Sequence, residues 1–168
     1  TIKTFLGKYE NSIYYSPAEA LADENVVGDV KSKLEAAKEE INRLRGQLDV
    51  AALLGAKVMR HDVCYRLGQT GNARSFDRML PTLVENIRAV TAYGEKLGIR
   101  TCTENHGYTF QSPEIVEELI LAVNHKNYGW LCDVGNFLCT DADPVKAVAT
   151  ALPYAFHIHF KDFLLKPG

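Results

Sequence analysis

Long apolar runs are missing from this sequence. Nowhere do its 168 residues approach the roughly 20 consecutive apolar positions that cross a bilayer, which excludes a membrane-spanning helix. Charge of one sign is also missing. Nineteen basic and 21 acidic residues leave a formal net charge of −2, and no dense basic run offers a nucleic-acid surface. Cysteine is sparse: Cys64, Cys102, Cys132 and Cys139, with no Cys-x-x-Cys pair. Cys102 and Cys132 fall inside predicted strands, where a thiol behaves as a small hydrophobe. A disulfide framework is therefore not expected, and a cytoplasmic, reducing setting is. No Gly-x-Gly-x-x-Gly follows any predicted strand, which removes support for a dinucleotide-binding fold.

What is present is a repeated strand–helix grammar, with 46% hydrophobic residues to build a core. Val30, Leu34, Ala37, Ile41, Leu44, Leu48 and Ala51 recur at spacings of three and four, predicting an amphipathic helix from Asp29 to about Leu54 that ends at Gly55. A strand over Lys57–Val63 follows. Ser75 opens a second helix that stops at Gly98, and strand Ile99–Glu104 follows it. Ser112-Pro113 starts a third helix, with proline where its missing N–H costs nothing, and strand Tyr128–Asp133 comes next. Asp143-Pro144 caps a fourth helix to Leu152, and strand Ala155–Lys161 closes the series. Ahead of Gly28, Ile2–Leu6 or Ser12–Tyr15 reads as a strand and Ser16-Pro17-Ala18-Glu19 as a helix start. This order predicts an α/β fold with parallel strands as one domain over 1–168, either a (β/α) barrel or an open doubly wound sheet, and the polar residues at the strand ends favour the (β/α) TIM-barrel type. A complete eight-stranded barrel takes roughly 200–250 residues, so the expectation is an incomplete barrel lacking strand units at its N- and C-terminal ends.

The chemistry gathers at the C-terminal ends of the strands, where barrels of this type carry their active sites. Glu104 ends one strand, Asp133 the next and His159 lies near the end of the last. Two carboxylates and an imidazole from adjacent strands form a donor set for a divalent ion. A charge directly after Trp130-Leu131-Cys132 is costly unless paired or metal-bound. In Phe156-His157-Ile158-His159-Phe160-Lys161 the alternation sends His157, His159 and Lys161 to one face and the three apolar residues to the other. The polar set is expected inside the barrel mouth, where Lys161 suits an anionic or polyhydroxyl substrate, and the apolar set under helices. Arg60 and His61 end an earlier strand. One of them faces inward to bind substrate hydroxyls, and periodicity does not say which. Asn136 is a candidate weak ligand or substrate hydrogen-bonder, and His106 adds a polar group beside Glu104. The bland readings are a capping or loop role for each carboxylate and an Arg60–Asp62 ion pair.

At these residues the sequence resembles the sugar isomerase/epimerase branch of the xylose-isomerase-like TIM barrels. The matching stretches are Leu54-Gly55-Ala56-Lys57-Val58-Met59-Arg60-His61, Thr103-Glu104-Asn105-His106-Gly107, Cys132-Asp133-Val134-Gly135-Asn136 and His157-Ile158-His159-Phe160-Lys161-Asp162, in family order. The resemblance implies that these are the fourth to seventh strands of an eight-stranded barrel. It implies that Glu104, Asp133 and His159 ligate Mn²⁺, Mg²⁺, Co²⁺ or Zn²⁺ together with a second glutamate from the eighth strand. It also implies proton transfer next to a carbonyl through an enediolate whose charge the ion stabilises, with Glu104 moving the proton. The sequence departs from the family in having Asn136 where a histidine is common and Phe110 where epimerases place a substrate-binding glutamate. The expected function is thus a metal-dependent sugar or cyclitol isomerase or epimerase. Its expected partner is a small sugar or sugar phosphate, with no nucleic acid or membrane partner, and pairing of two copies is one way to close the sheet. The alternatives are a non-catalytic sugar-binding barrel relative and a zinc apurinic-site endonuclease-like hydrolase. The latter calls for more than five histidines and a basic groove.

Overall fold

A computed structural model describes residues 24–63 and 75–164. Helix α1 (Glu24–Leu53) leads to strand β1 (Val58–Arg60), helix α2 (Ser75–Lys96) to β2 (Arg100–Glu104), α3 (Pro113–Val123) to β3 (Tyr128–Asp133), and α4 (Pro144–Ala151) to β4 (Ala155–His159). The four strands pair in parallel in the order β1-β2-β3-β4, each following its own helix. This is the α/β pattern expected from the sequence, and it supplies four of the eight strands of a TIM barrel. The elements expected ahead of Gly28, Cys64, and the loop over 64–74 lie outside the described residues, except for the start of α1 at Glu24. Among the described residues no helix is long and apolar enough to cross a membrane, and Cys102, Cys132 and Cys139 are free.

The punctuation read from the sequence has a physical counterpart. Gly55 and Gly98 end α1 and α2 at φ +75° and +70°, left-handed backbone that an L side chain rarely adopts. Asp143 caps α4 by accepting from Val145 N (2.9 Å) and Lys146 N (3.3 Å). Ser112 precedes α3 without a capping bond; its hydroxyl turns to Glu114 instead. The orphan carbonyls at the other end of α3 are taken by Arg88 of α2, which donates to Val123 O (2.8 Å) and Ala122 O (3.1 Å).

The core lies between the helices and the outer face of the sheet. Phe76, Leu83, Ile87, Val116, Leu119, Val123, Trp130, Cys132 and Phe137 form its main body. Leu44 and Leu48 of α1 pack with Val90 and Ile99 in a second cluster. Helix α2 rides close on β2, because Gly94 has no Cβ to meet Ile99 O, which would lie 2.9 Å away. The buried hydroxyls of Thr91 and Thr101 bond across that contact at 2.8 Å. Cys132 sits in this packing and Cys102 on the inner face beside Arg60, and burial pushes their thiols up to about 11 and about 12, which keeps them protonated and inert.

The last strand corrects one expectation. Strict alternation put Phe156 with Ile158 and Phe160 under the helices. The β3–β4 ladder instead shifts register between Trp130 and Leu131, and Phe156 is the extra residue. Its ring turns to the inner face, where Gly129 leaves room: a Cβ there would come within 2.9 Å of the ring. The Arg100 guanidinium lies over that ring at 4.5 Å. After the shift, Leu131 pairs with His157 and Asp133 with His159, so the two histidines do face inward. Their rings meet edge to face at 5.3 Å. Ile158 and Phe160 are 37% and 84% exposed, and the strand ends at His159 rather than Lys161.

Candidate functional site

Parallel pairing places partner residues on the same face of the sheet. Arg60 pairs with Cys102, two residues before Glu104; Glu104 pairs with Leu131, two before Asp133; and Asp133 pairs with His159. The inward residues therefore step along the strand ends in the stagger of a barrel. One ligand atom each from Glu104, Asp133 and His159 lies within 4.8 Å of the others. His159 Nδ1 is 3.3 Å from Glu104 Oε1 and 3.7 Å from Asp133 Oδ2. Glu104 and Asp133 are 7% and 2% exposed, while the histidine side chain is half-exposed at the mouth.

Each carboxylate is held by one oxygen. Asp133 Oδ1 accepts from Gly135 N (3.1 Å) and Asn136 N (3.0 Å), closing the turn after β3 and leaving Oδ2 inward against Lys161 Nζ at 3.0 Å. Burial alone would raise the Asp133 carboxyl, but the Lys161 ammonium and the Asn136 N–H outweigh it and hold it below the usual carboxylate range. Glu104 Oε2 meets Arg60 Nε at 2.9 Å, while Oε1 turns to His159. Two buried carboxylates and one imidazole, each carboxylate turning one oxygen inward toward one point, fit a small divalent ion with mixed oxygen and nitrogen ligands.

The geometry resolves the choice between Arg60 and His61. Arg60 faces inward, bridging Glu104 and the exposed carboxylate of Asp62. His61 points away from the site. It is buried against Tyr128, ring centroids 6.0 Å apart, with Nε2 lacking a hydrogen-bond partner and Nδ1 only 3.4 Å from Asp62 O. Burial pushes its imidazole down, against the smaller opposing effects of Asp62 and Glu40. The folded chain thus keeps His61 neutral where the unfolded chain would protonate it. Its contribution to stability is complete above about pH 6.5 and is lost as pH falls through the lowered folded value. His61→Phe should reduce the loss of urea stability between pH 7 and pH 5 by up to about 1.4 kcal/mol per pH unit. Identical pH slopes in the two proteins would refute the buried neutral imidazole.

Asn136 is brought to the site but does not present its amide to it. Its Nδ2 donates to Asn105 O at 2.9 Å, and its backbone carbonyl accepts from Gln111 Nε2 at 3.0 Å. His106 is exposed on the lip of a cleft whose wall includes Asp62, Val63, Glu104 and Phe110. His157 and Lys161 flank His159 and Asp133. Asn105 follows Glu104 directly in the sequence. In the fold it is fully buried: Nδ2 donates to Asp133 O (2.8 Å), while Oδ1 accepts from Asp133 N (2.9 Å) and Trp130 Nε1 (3.1 Å). The available signal was its position one residue past Glu104, and so on the opposite face, among apolar strands.

Residues 14–168 match the family described as xylose isomerase-like TIM barrel. The chain belongs to that family. Solved structures agree with this xylose isomerase-like barrel in fold. A xylose isomerase domain protein from Planctomyces limnophilus superposes with a TM-score of 0.62 at 20% identity, over 80% of this chain and 46% of that one. A D-psicose 3-epimerase from Clostridium cellulolyticum, solved with D-tagatose, gives 0.60 at 18%, over 73% and 44%. A Thermus thermophilus protein soaked with zinc chloride gives 0.59 at 25%, over 84% and 51%. The chain spans about half the length of these structures. No curated protein matches the sequence significantly.

Proposed function

We propose that this barrel is a divalent-metal-dependent sugar or cyclitol isomerase or epimerase that transfers a proton next to a carbonyl. The observation that carries the reading is the convergence of Glu104, Asp133 and His159, with ligand atoms within 4.8 Å of one another at the strand ends. The family includes metal-dependent sugar epimerases and dehydratases, and the D-tagatose complex of one structural neighbour supports a small sugar carrying a carbonyl as the substrate class. Glu104, Asp133 and His159 would hold the ion, which when bound supplies a Lewis acid for the substrate's oxygens and a counter-charge for an enediolate.

The chain's own residues do the rest. Glu104 can accept or return a proton through its carboxylate, whose direction the Arg60 bond at Oε2 fixes. Burial keeps water from competing for that carboxylate. Lys161, His157 and His106 stand at the mouth, where they can donate hydrogen bonds to substrate hydroxyl or anionic groups. Asn136 serves from behind, bracing Asp133 through its backbone N–H.

The test is solvent exchange. The full-length protein, loaded with Mn²⁺ and incubated in D₂O with a panel of ketoses and inososes, should place deuterium on the carbon beside the carbonyl of at least one. Binding of a sugar with no deuterium entering any member of the panel would favour a non-catalytic binder over an isomerase.

A further inference from the structure

The two cations beside the site are not equivalent. Glu104 has an oxygen for each neighbour, Oε2 on Arg60 and Oε1 turned to His159. Asp133 does not. Its Oδ1 is taken by the N–H groups of Gly135 and Asn136, so Oδ2 is the one oxygen facing inward, and Lys161 Nζ stands on it at 3.0 Å. An ion ligated by that oxygen and by His159 Nδ1 would lie beside the ammonium, and two positive charges sharing one oxygen repel each other strongly. The lysine is also led there by the backbone. Its stem crosses Gly135 so closely that a Cβ would come 2.6 Å from Lys161 Cγ and 3.0 Å from Lys161 O.

From this asymmetry we propose that Lys161 is an internal counter-ion that competes with the metal for Asp133, whereas Arg60 is a positioning residue that favours metal binding by holding Glu104. The inference rests on the metal centre proposed above. It adds a device: the ion must displace the lysine, and the displaced ammonium is then free to meet a negatively charged group of the substrate. Binding of metal and of an anionic substrate would thereby be coupled through one side chain.

The two roles predict effects of opposite sign. Titrating Mn²⁺ alone into the full chain by calorimetry, Lys161→Met should bind tighter than the parent by up to about tenfold, the scale of losing one charge-assisted hydrogen bond at a half-exposed lysine. Arg60→Met should bind about tenfold more weakly, the scale of removing an outer partner of a ligand. Gly135→Ala gives a second approach to Lys161. Its backbone, φ −80° and ψ −31°, accepts any L-residue, and the added methyl pushes the lysine stem aside without removing its charge. It should shift affinity in the same direction as Lys161→Met. Parental or weaker affinity in Lys161→Met would overturn the competitor role, because a lysine that merely steadied Asp133 would give that result. A parent protein that takes up no Mn²⁺ would overturn the metal centre itself, and the competition with it.

Discussion

Glu104→Gln should lower divalent-ion affinity by more than about 100-fold, beyond the roughly 10–100-fold that changes in the outer shell of a metal site cost. The substitution keeps the shape and removes the charge. Glu104 is 7% exposed, and its Oε1 is the oxygen turned toward His159 and the point where the ligand atoms converge. A neutral amide is a poor ligand for a hard cation, and its NH₂ group can occupy either end of the side chain. The fold should survive. Arg60 retains Asp62 as a partner, and Gln can still accept from Arg60 through its carbonyl oxygen. Calorimetric titration with Mn²⁺ gives the affinity, and urea unfolding in the absence of metal separates it from stability. In the exchange assay, deuterium uptake should vanish with the carboxylate even at saturating metal, because the group that moves the proton is gone. His159→Ala should weaken the ion less, since the imidazole is half-exposed and water can take its place. An unchanged Mn²⁺ affinity in Glu104→Gln would remove Glu104 from the ligand set.

The parts legible in the sequence were those governed by local periodicity. The spacing of apolar residues in α1 to α4, the glycines at 55 and 98 and the run Tyr128–Asp133 predicted helices and strands close to where they lie. The convergence of Glu104, Asp133 and His159 was legible for the same reason, because a carboxylate at the end of an apolar parallel strand leaves few structural alternatives. What failed to show was everything decided by contact between strands. Alternation could not anticipate the bulge that turns Phe156 inward, since that shift depends on the missing side chain of Gly129 across the ladder. The choice between Arg60 and His61 depended on the register of β1 against β2. Asn136 read as a weak ligand or substrate hydrogen-bonder from its place three residues past Asp133, and its bond from Nδ2 to Asn105 O depends on how the two strand ends meet.

Removing the Asn105 side chain should harm the fold severely. The β2–β3 ladder stops at Glu104 and Leu131, and β3 runs two residues further to Asp133. The Asn105 side chain acts as the next rung. Its amide donates to Asp133 O and its carbonyl accepts from Asp133 N, as an adjoining strand would, and the same carbonyl takes the Trp130 indole N–H. Asn105→Ala strands all three groups in a region that excludes water. At roughly 1–3 kcal/mol for each unpaired buried polar group, with relaxation recovering part of it, the loss should be about 4 kcal/mol. That is a large share of the roughly 5–15 kcal/mol by which a domain is stable. Urea unfolding should show a lower midpoint with an unchanged slope. Asn105→Asp separates hydrogen bonding from volume. It keeps the acceptor but sets a carboxylate oxygen against Asp133 O in place of the donor, and adds a charge behind the Asp133 carboxylate. It should therefore be no more stable than the alanine variant, despite filling the same space. A loss below about 1 kcal/mol for Asn105→Ala would mean that the end of β3, and with it the aim of Asp133, is fixed by packing rather than by this rung.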